Sequence, residues 1–145
     1  MDEVNNNLNQ FLCDLNVFFR KLQNYHWNIK GKDFFTIHAK LEEYYNGINE
    51  QIDEIAEHIL SLEGQPLGTL KDYIENTKIV EAENKKVDSN IILNNIIKDF
   101  SILLHDVKNI KYMADENTEI KTSTIMDDLI EDYTKKIWML KQSIG

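Results

Sequence analysis

Residues 25–57 read YHWNIKGKDFFTIHAKLEEYYNGINEQIDEIAE, and this stretch decides how the chain folds. Gly31, which has a lysine on each side, predicts the end of one helix, because glycine after a helix and a basic residue in its last turn are common stop signals. Asp33 can cap a second helix, which we expect to run from about residue 33 to residue 63. The loop between them is short, so the two helices are predicted to lie side by side and antiparallel.

The helices on both sides of this loop are predicted from the spacing of apolar residues. An apolar residue recurs at every third or fourth position, which is typical of one buried face on an amphipathic helix. The first helix carries Val4, Leu8, Phe11, Leu15, Phe18, Leu22 and Tyr25. The second helix carries Phe34, Ile37, Leu41, Tyr45, Ile48, Ile52, Ile55, Ile59 and Leu62.

The rest of the chain predicts two more long helices, joined to the first pair by a long crossover. Segment 64–68 holds two glycines and the only proline, so it ends the second helix, and Thr69 can cap a short helix after it. A third long helix starts at Asp88 or Ser89, and the last runs from about residue 119 to residue 143. These elements predict an all-α fold, a ferritin-like four-helix bundle with a short extra helix in the crossover between helices two and three.

Length, charge and cysteine content narrow the class of protein. The length of 145 residues predicts one domain over residues 1–145. The formal net charge of -9 argues against nucleic acid as a binding partner and fits a protein that attracts cations. The single cysteine, Cys13, excludes an intrachain disulfide. The sequence has no apolar run long enough to span a bilayer, and its first residues are acidic and polar, so we expect a cytoplasmic protein without a secretory signal.

Five candidate metal ligands lie in the opening stretch: His26, His38, Glu42, Asp53 and Glu57. Imidazole and carboxylate groups suit iron, zinc or manganese. The last four form a stripe at the edge of the second helix's apolar face, at about 100° per residue. His26 and His38 are each six residues from the centre of the turn, so an antiparallel hairpin places them side by side.

The spacing along the second helix predicts two half-sites rather than one site. Asp53 follows His38 by 15 positions, or about 22 Å along a helix, so one chain cannot hold one ion with both. A two-fold axis would bring the histidine half of one subunit to the acidic half of its partner and create two identical sites. A ferritin-type site inside one bundle would need Glu-x-x-His, and none of the four histidines has a glutamate three positions before it.

Taken singly, each of these residues is more often a solvated or packing residue than a ligand, but their combination resembles a known family. The motifs that carry the resemblance are Tyr25-His26-Trp27-Asn28, Asp33-Phe34-Phe35-Thr36 with His38, Asp53-Glu54-Ile55-Ala56-Glu57, Pro66-Leu67-Gly68-Thr69 and Trp138-Met139-Leu140. Together they span essentially the whole chain and resemble the Dps family, the miniferritins.

The resemblance implies an iron-storage protein that protects against oxidative stress. Members of the family form hollow dodecamers, oxidise Fe(II), preferably with hydrogen peroxide, and store the ferric product inside. By motif position, His26, His38 and Glu42 would come from one subunit and Asp53 and Glu57 from its partner, so that the iron sites are shared between two subunits. The family often has aspartate at the position of Glu42. Trp27 would lie beside the site and accept oxidising equivalents.

The resemblance leaves the iron pore, DNA binding and two alternative functions undecided. The aspartate that lines the iron pore in many members corresponds to Thr124 here, so the acidic lining would move to Asp115, Glu116, Glu119, Asp127 or Asp128. Some relatives bind DNA through a lysine-rich tail, but the first basic residue here is Arg20, so we expect little DNA binding. The alternatives are a DNA-protecting binder that oxidises little iron and a helical assembly protein with a vestigial metal stripe.

Overall fold

The described part of the chain, residues 2–144, folds into four long helices and one short helix, with one pair of two-residue strands. The computed structural model describes residues 2–144. The elements are α1 (Asp2–Asn28), β1 (Ile29–Lys30), α2 (Phe34–Ser61), α3 (Leu70–Asn76), β2 (Val87–Asp88), α4 (Ser89–Glu116) and α5 (Ile120–Gln142). This is the predicted all-α four-helix bundle, with the short helix α3 in the long crossover. None of the helices in residues 2–144 combines the length and hydropathy of a bilayer-spanning segment.

The α1–α2 connection is longer than the sequence predicts, because α1 ends at Asn28, before Gly31, and α2 begins at Phe34. Gly31 has φ = 118°, a left-handed conformation that glycine adopts readily, and its carbonyl accepts a hydrogen bond from Phe34 N at 3.1 Å. Asp33 precedes α2, but its side chain makes no capping hydrogen bond, and its carboxylate instead accepts a 3.4 Å hydrogen bond from the Ser89 hydroxyl. β1 pairs in parallel with β2, with Ile29 opposite Val87. The hairpin is therefore tied to the start of α4.

The apolar faces of the four long helices meet in one core. Phe18 of α1 packs edge-on against Phe100 of α4 at a centroid distance of 4.9 Å, and Phe100 lies 5.8 Å from Tyr133 of α5. Tyr44 of α2 completes this group at 5.4 Å from Phe100. Each fully buried aromatic or aliphatic side chain contributes about 1.5–3 kcal/mol to the free energy of unfolding. This shared core fixes α1 against α2, and hence the hairpin that carries the histidines.

The crossover is anchored to the bundle by buried polar contacts. The Thr69 hydroxyl caps α3 by accepting a 3.1 Å hydrogen bond from Asp72 N, and α3 ends at Asn76. The Asp14 carboxylate on α1 then accepts hydrogen bonds from Thr77 Oγ1 at 2.8 Å and Lys78 N at 2.7 Å. A buried carboxylate thus holds the irregular segment after α3 in place.

Asp106 of α4 belongs to the same buried cluster. Lys78 Nζ donates a hydrogen bond to Asp106 Oδ1 and lies 3.9 Å from Asp14 Oδ2. Burial, reinforced by the neighbouring Asp14 carboxylate, raises the pKa of Asp106 to about 8, and the opposing effect of Lys78 is smaller. Asp106 therefore carries a proton over most of the neutral range, while Asp14 accepts three hydrogen bonds from the crossover and α1 and lies near the Lys78 ammonium.

His58 is buried near the end of α2, as expected for a structural residue. Its Nε2 lies 2.7 Å from the hydroxyl of Thr122 on α5, and both residues are buried. Burial lowers the pKa of His58, so the folded protein holds this imidazole neutral. The contact links the C-terminal end of α2 to the first turn of α5.

We expect this contact to make the protein less stable in mild acid. The pKa of His58 is about 6.5 in the unfolded chain and lower in the folded protein. Between these two pH values the imidazole is protonated in the unfolded chain and not in the folded protein, so the free energy of unfolding decreases as the pH falls. Thermal unfolding of wild type and His58→Gln between about pH 7 and pH 5 tests this expectation. The amount by which the Tm of wild type exceeds that of His58→Gln should decrease toward pH 5. A Tm difference that does not change with pH would contradict a lowered pKa for His58.

Candidate functional site

His26 of α1 and His38 of α2 form a reciprocal pair across the hairpin. His26 Nδ1 lies 2.7 Å from the carbonyl oxygen of His38, and His38 Nδ1 lies 2.7 Å from the carbonyl oxygen of His26. The two rings stack with centroids 3.7 Å apart and an angle of 11° between their planes. The prediction that the hairpin places these histidines side by side is confirmed.

The reciprocal hydrogen bonds fix the tautomer of both rings. A carbonyl oxygen can only accept, so each Nδ1 carries a hydrogen and donates it. In the neutral form of this tautomer the lone pair lies on Nε2, which is the atom that can bind a metal ion. Within residues 2–144, neither Nε2 makes a hydrogen bond; His26 Nε2 has Glu42 Oε1 at 3.7 Å. The chain therefore holds two imidazoles ready to act as ligands.

Glu42 and Tyr45 stand on the next turn of α2 beside this pair. Glu42 is exposed, and its carboxylate accepts a long hydrogen bond of 3.4 Å from the Tyr45 hydroxyl. The Tyr45 ring meets the His26 ring edge-on at a centroid distance of 5.3 Å. Phe34 stacks on the other side of the pair, 4.8 Å from the His38 ring. The histidines are thus enclosed by aromatic rings and open toward the glutamate.

Asp53 and Glu57 lie farther along α2 and remain apart from the histidines. Both side chains are exposed, and they are four residues, or one helical turn, apart. The buried Ile55 and Ile59 face the core on the other side of this part of the helix. The structure thus brings together His26, His38 and Glu42 and leaves Asp53 and Glu57 as a separate exposed acidic pair.

No complete metal-binding cluster is found in the part of the chain that the structure describes. Within residues 2–144, no three histidine, cysteine, aspartate or glutamate side chains converge in a geometry that could hold a metal ion. Cys13 is buried and takes no part in any candidate site, and burial raises the pKa of its thiol to about 11. The candidate ligands are therefore distributed over two separate groups on the hairpin.

Trp27 follows His26 directly but faces a different neighbour. Its side chain is 55% exposed, and the guanidinium carbon of Arg20 lies 5.7 Å from its ring centroid. This distance is typical of a cation–π contact. Trp27 is therefore adjacent to the histidine pair in sequence and has the exposed Arg20 as a charged neighbour.

The corner between α4 and α5 carries the acidic residues considered for an iron pore. Lys111 Nζ lies 2.9 Å from Asp127 and 3.7 Å from Asp115, and it donates a 2.8 Å hydrogen bond to the Ser123 hydroxyl. Glu119 caps α5 by accepting a hydrogen bond from Thr122 N at 2.6 Å. Lysine therefore offsets part of the negative charge here, a feature that the sequence pattern did not predict.

Tyr45 is the residue at this site that sequence reasoning missed. It was assigned to the apolar face of α2, and it does contact Phe19 of α1 at a centroid distance of 5.9 Å. Its position three residues after Glu42 was the available signal, because residues three apart on a helix are neighbours. The Tyr45 hydroxyl therefore extends from the core edge to the candidate ligand.

The chain is similar in sequence to ferritin-like proteins over most of its length. A family model described as a ferritin-like domain matches residues 5–145. General stress protein 20U of Bacillus subtilis is 35% identical over 138 residues, which cover 95% of this chain and 94% of that protein. DNA protection during starvation protein 2 of Bacillus anthracis is 42% identical over 101 residues, which cover 70% of this chain and 68% of that protein.

Solved structures share the fold over nearly the full length. The DPS protein of Vibrio cholerae O1 superposes with a TM-score of 0.95 at 36% sequence identity, covering 99% of this chain and 90% of that chain. That protein is described as a member of a broad superfamily of ferritin-like diiron-carboxylate proteins. Antigen TpF1 of Treponema pallidum superposes with a TM-score of 0.97 at 32% identity, covering 99% of this chain and 92% of that chain.

Proposed function

Because the chain belongs to the Dps family of ferritin-like proteins, we propose that it is a ferroxidase and iron-storage protein. It oxidises Fe(II), preferably with hydrogen peroxide, and keeps the ferric product inside a hollow dodecamer, which protects the cell against oxidative stress. One observation carries the proposal: the reciprocal hydrogen bonds of His26 and His38 leave both Nε2 lone pairs free beside the Glu42 carboxylate. Two imidazoles and a carboxylate suit Fe(II).

The site is completed by a second copy of the chain. The exposed residues Asp53 and Glu57 lie about 22 Å and about 28 Å along α2 from His38, too far to bind the same ion. If α2 packs antiparallel on the α2 of a two-fold-related copy, the histidine group of one chain meets the acidic group of the other, and two equal sites form. The exposure of Asp53, Glu57 and Glu42 supports this arrangement, because these side chains are free to reach a partner.

The carboxylate and imidazole ligands are proposed to have different roles at the site. Carboxylates of Asp53 and Glu57 favour the ferric product and can bridge two iron ions, whereas the imidazoles bind Fe(II) well. Two Fe(II) ions supply the two electrons that convert hydrogen peroxide to water without release of hydroxyl radical. Trp27 is proposed as an oxidisable side chain near the site. The protein contributes position and charge, and the redox chemistry belongs to iron.

The proposal is tested by following Fe(II) oxidation in the assembled protein with hydrogen peroxide and, separately, with dioxygen. We expect faster oxidation with peroxide, retention of ferric iron in the protein fraction, and little trapped hydroxyl radical. Oxidation no faster than in buffer with bovine albumin at equal mass would contradict the function.

Direct DNA binding is proposed to play little part, although several relatives are named for DNA protection. The net charge of -9 repels the phosphate backbone, and binding to that backbone needs clustered lysine and arginine. A gel shift at low and moderate salt tests this expectation. Retardation of linear DNA at moderate salt would favour the alternative, a DNA-protecting binder.

A further inference from the structure

We propose that the cavity between α1, α4 and the crossover binds a small organic anion, whose acidic head group meets Lys98 and Tyr25 and whose apolar body lies against Val87 and Ile91. The cavity has a volume of about 430 Å³. Small-ligand pockets in proteins have volumes of about 300–1,000 Å³. None of the five candidate metal ligands lines the cavity, so this inference goes beyond the proposed ferroxidase function.

Buried polar groups in the cavity lining have hydrogen-bond donors to spare. Lys21 Nζ lies 3.2 Å from Asp99 Oδ1 and 2.9 Å from Asp99 Oδ2, and both residues are buried. An ammonium has three N–H donors, and within residues 2–144 only the Asp99 carboxylate accepts from this one, so at least one donor remains. The buried Tyr25 hydroxyl accepts a 3.0 Å hydrogen bond from Asn95 Nδ2, and its own hydrogen has no acceptor in the described residues. Both groups line the cavity and can donate to an anion there.

The balance of charge in the cavity lining is opposite to that of the whole chain. Four lysines and three carboxylates line the cavity, whereas the chain has 16 lysine and arginine residues and 25 aspartate and glutamate residues. Three of these lysines have a carboxylate partner: Lys21 with Asp99, Lys78 with Asp106 and Lys85 with Glu83. Lys98 is exposed and forms no ion pair within residues 2–144. Its ammonium therefore offers an unpaired positive charge to an anion.

Glu81 is the opposing charge at the edge of the cavity. Its side chain is exposed, and it also lines two neighbouring cavities, one beside α3 and one beside Trp27. Solvent and salt screen the repulsion between exposed charges. Glu81 is therefore expected to weaken the binding of an anion without preventing it.

Apolar side chains line the part of the cavity next to β2. Val87 in β2 is buried, and Ile91 in the first turn of α4 is 53% exposed. Ile91, Asn95, Lys98 and Ile102 follow one another at intervals of four, three and four residues, so they lie on one face of α4. Ile91 lies about 10 Å along the helix from Lys98, a span that a medium-chain carboxylate can bridge. An apolar wall beside an unpaired ammonium favours an organic anion over an inorganic one.

The test measures the binding of labelled octanoate to the assembled, iron-free protein by equilibrium dialysis, with octanamide and inorganic phosphate as competitors. Octanamide keeps the apolar chain without the charge, and phosphate has the charge without the chain. Lys98→Gln removes the unpaired ammonium, and Ile91→Asn removes an apolar contact. Lys108→Gln is the matched control, because Lys108 is also exposed on α4 but lies outside the cavity. The exchanged side chains are exposed, so each variant should retain the fold.

We expect saturable binding of one octanoate per chain. Binding should be about three- to fivefold weaker in Lys98→Gln, as for the loss of one exposed ion pair, and about fivefold weaker in Ile91→Asn. It should be unchanged in Lys108→Gln and tighter in Glu81→Gln. The proposal would be overturned by the absence of saturable binding, by unchanged binding in Lys98→Gln, or by octanamide or phosphate competing as well as unlabelled octanoate. Because the protein is free of iron, these outcomes are independent of the ferroxidase test.

Discussion

Replacing Asp53 and Glu57 together by alanine is expected to abolish rapid peroxide-driven oxidation of Fe(II). The change removes both carboxylates of the proposed acidic half-site and leaves the histidine pair intact. The loss of groups that merely orient metal ligands costs roughly 10- to 100-fold in affinity or activity, so loss of two ligands should cost at least about 100-fold in initial rate. Stopped-flow absorbance of the ferric product measures the rate.

The control for this variant removes equal charge from the same helix. Glu50 and Glu54 are exposed on α2 and are not candidate ligands, so Glu50→Ala with Glu54→Ala should oxidise iron at nearly the wild-type rate. Light scattering should give the same mass for both double variants and wild type, because the exchanged side chains are exposed and outside the core. A wild-type rate in the Asp53 and Glu57 variant would reject these residues as ligands.

The second large effect is expected at Asp106, where alanine and asparagine should differ sharply. Asp106→Ala removes a buried side chain that accepts a hydrogen bond from Lys78 and leaves a cavity, which should cost about 3 kcal/mol. For a domain of this size the loss corresponds to a Tm lower by roughly 6–12 °C. Asp106→Asn resembles the protonated carboxyl that dominates at neutral pH, so its cost should stay below about 1.5 kcal/mol. Differential scanning calorimetry separates the two outcomes.

The pH dependence gives an independent check on Asp106. Its folded pKa of about 8 exceeds the ordinary value of 3.8, so between these values the folded chain holds a proton that the unfolded chain has lost. Its contribution to stability is therefore full below about pH 4 and is lost as the pH rises through about 8. Asparagine does not titrate, so the Tm of Asp106→Asn should rise relative to the Tm of wild type as the pH increases from 6 to 9. An unchanged difference would show that Asp106 is already ionised.

Much of the fold follows from local patterns that a sequence displays directly. The apolar spacing of α1 and α2, with Gly31 between them, was sufficient to predict an antiparallel hairpin and the adjacency of His26 and His38. The predicted helix boundaries differ by up to three residues, since the ends depend on contacts outside the helix. Asp33 shows this, because its carboxylate meets Ser89 of α4 instead of capping α2.

The parts that were not predicted depend on contacts between distant segments. Asp14 on α1 meets Lys78, 64 residues later, in a segment without any periodic pattern. The hydrogen bonds from each histidine Nδ1 to the other's carbonyl depend on ring rotation, which spacing alone does not define. Tyr45 looked like a core residue because its position fits the apolar face, and only the fold shows that its hydroxyl reaches Glu42.

The central claim, that each iron site is shared between two chains, is tested most directly by mixing two inactive variants. One carries His26→Ala and His38→Ala, and the other carries Asp53→Ala and Glu57→Ala. Each mixed dimer would hold one intact site, so unfolding and reassembling an equal mixture should restore rapid peroxide-driven oxidation at about a quarter of the sites. Continued inactivity of the mixture, with mixed assemblies verified by native mass spectrometry, would contradict a shared site.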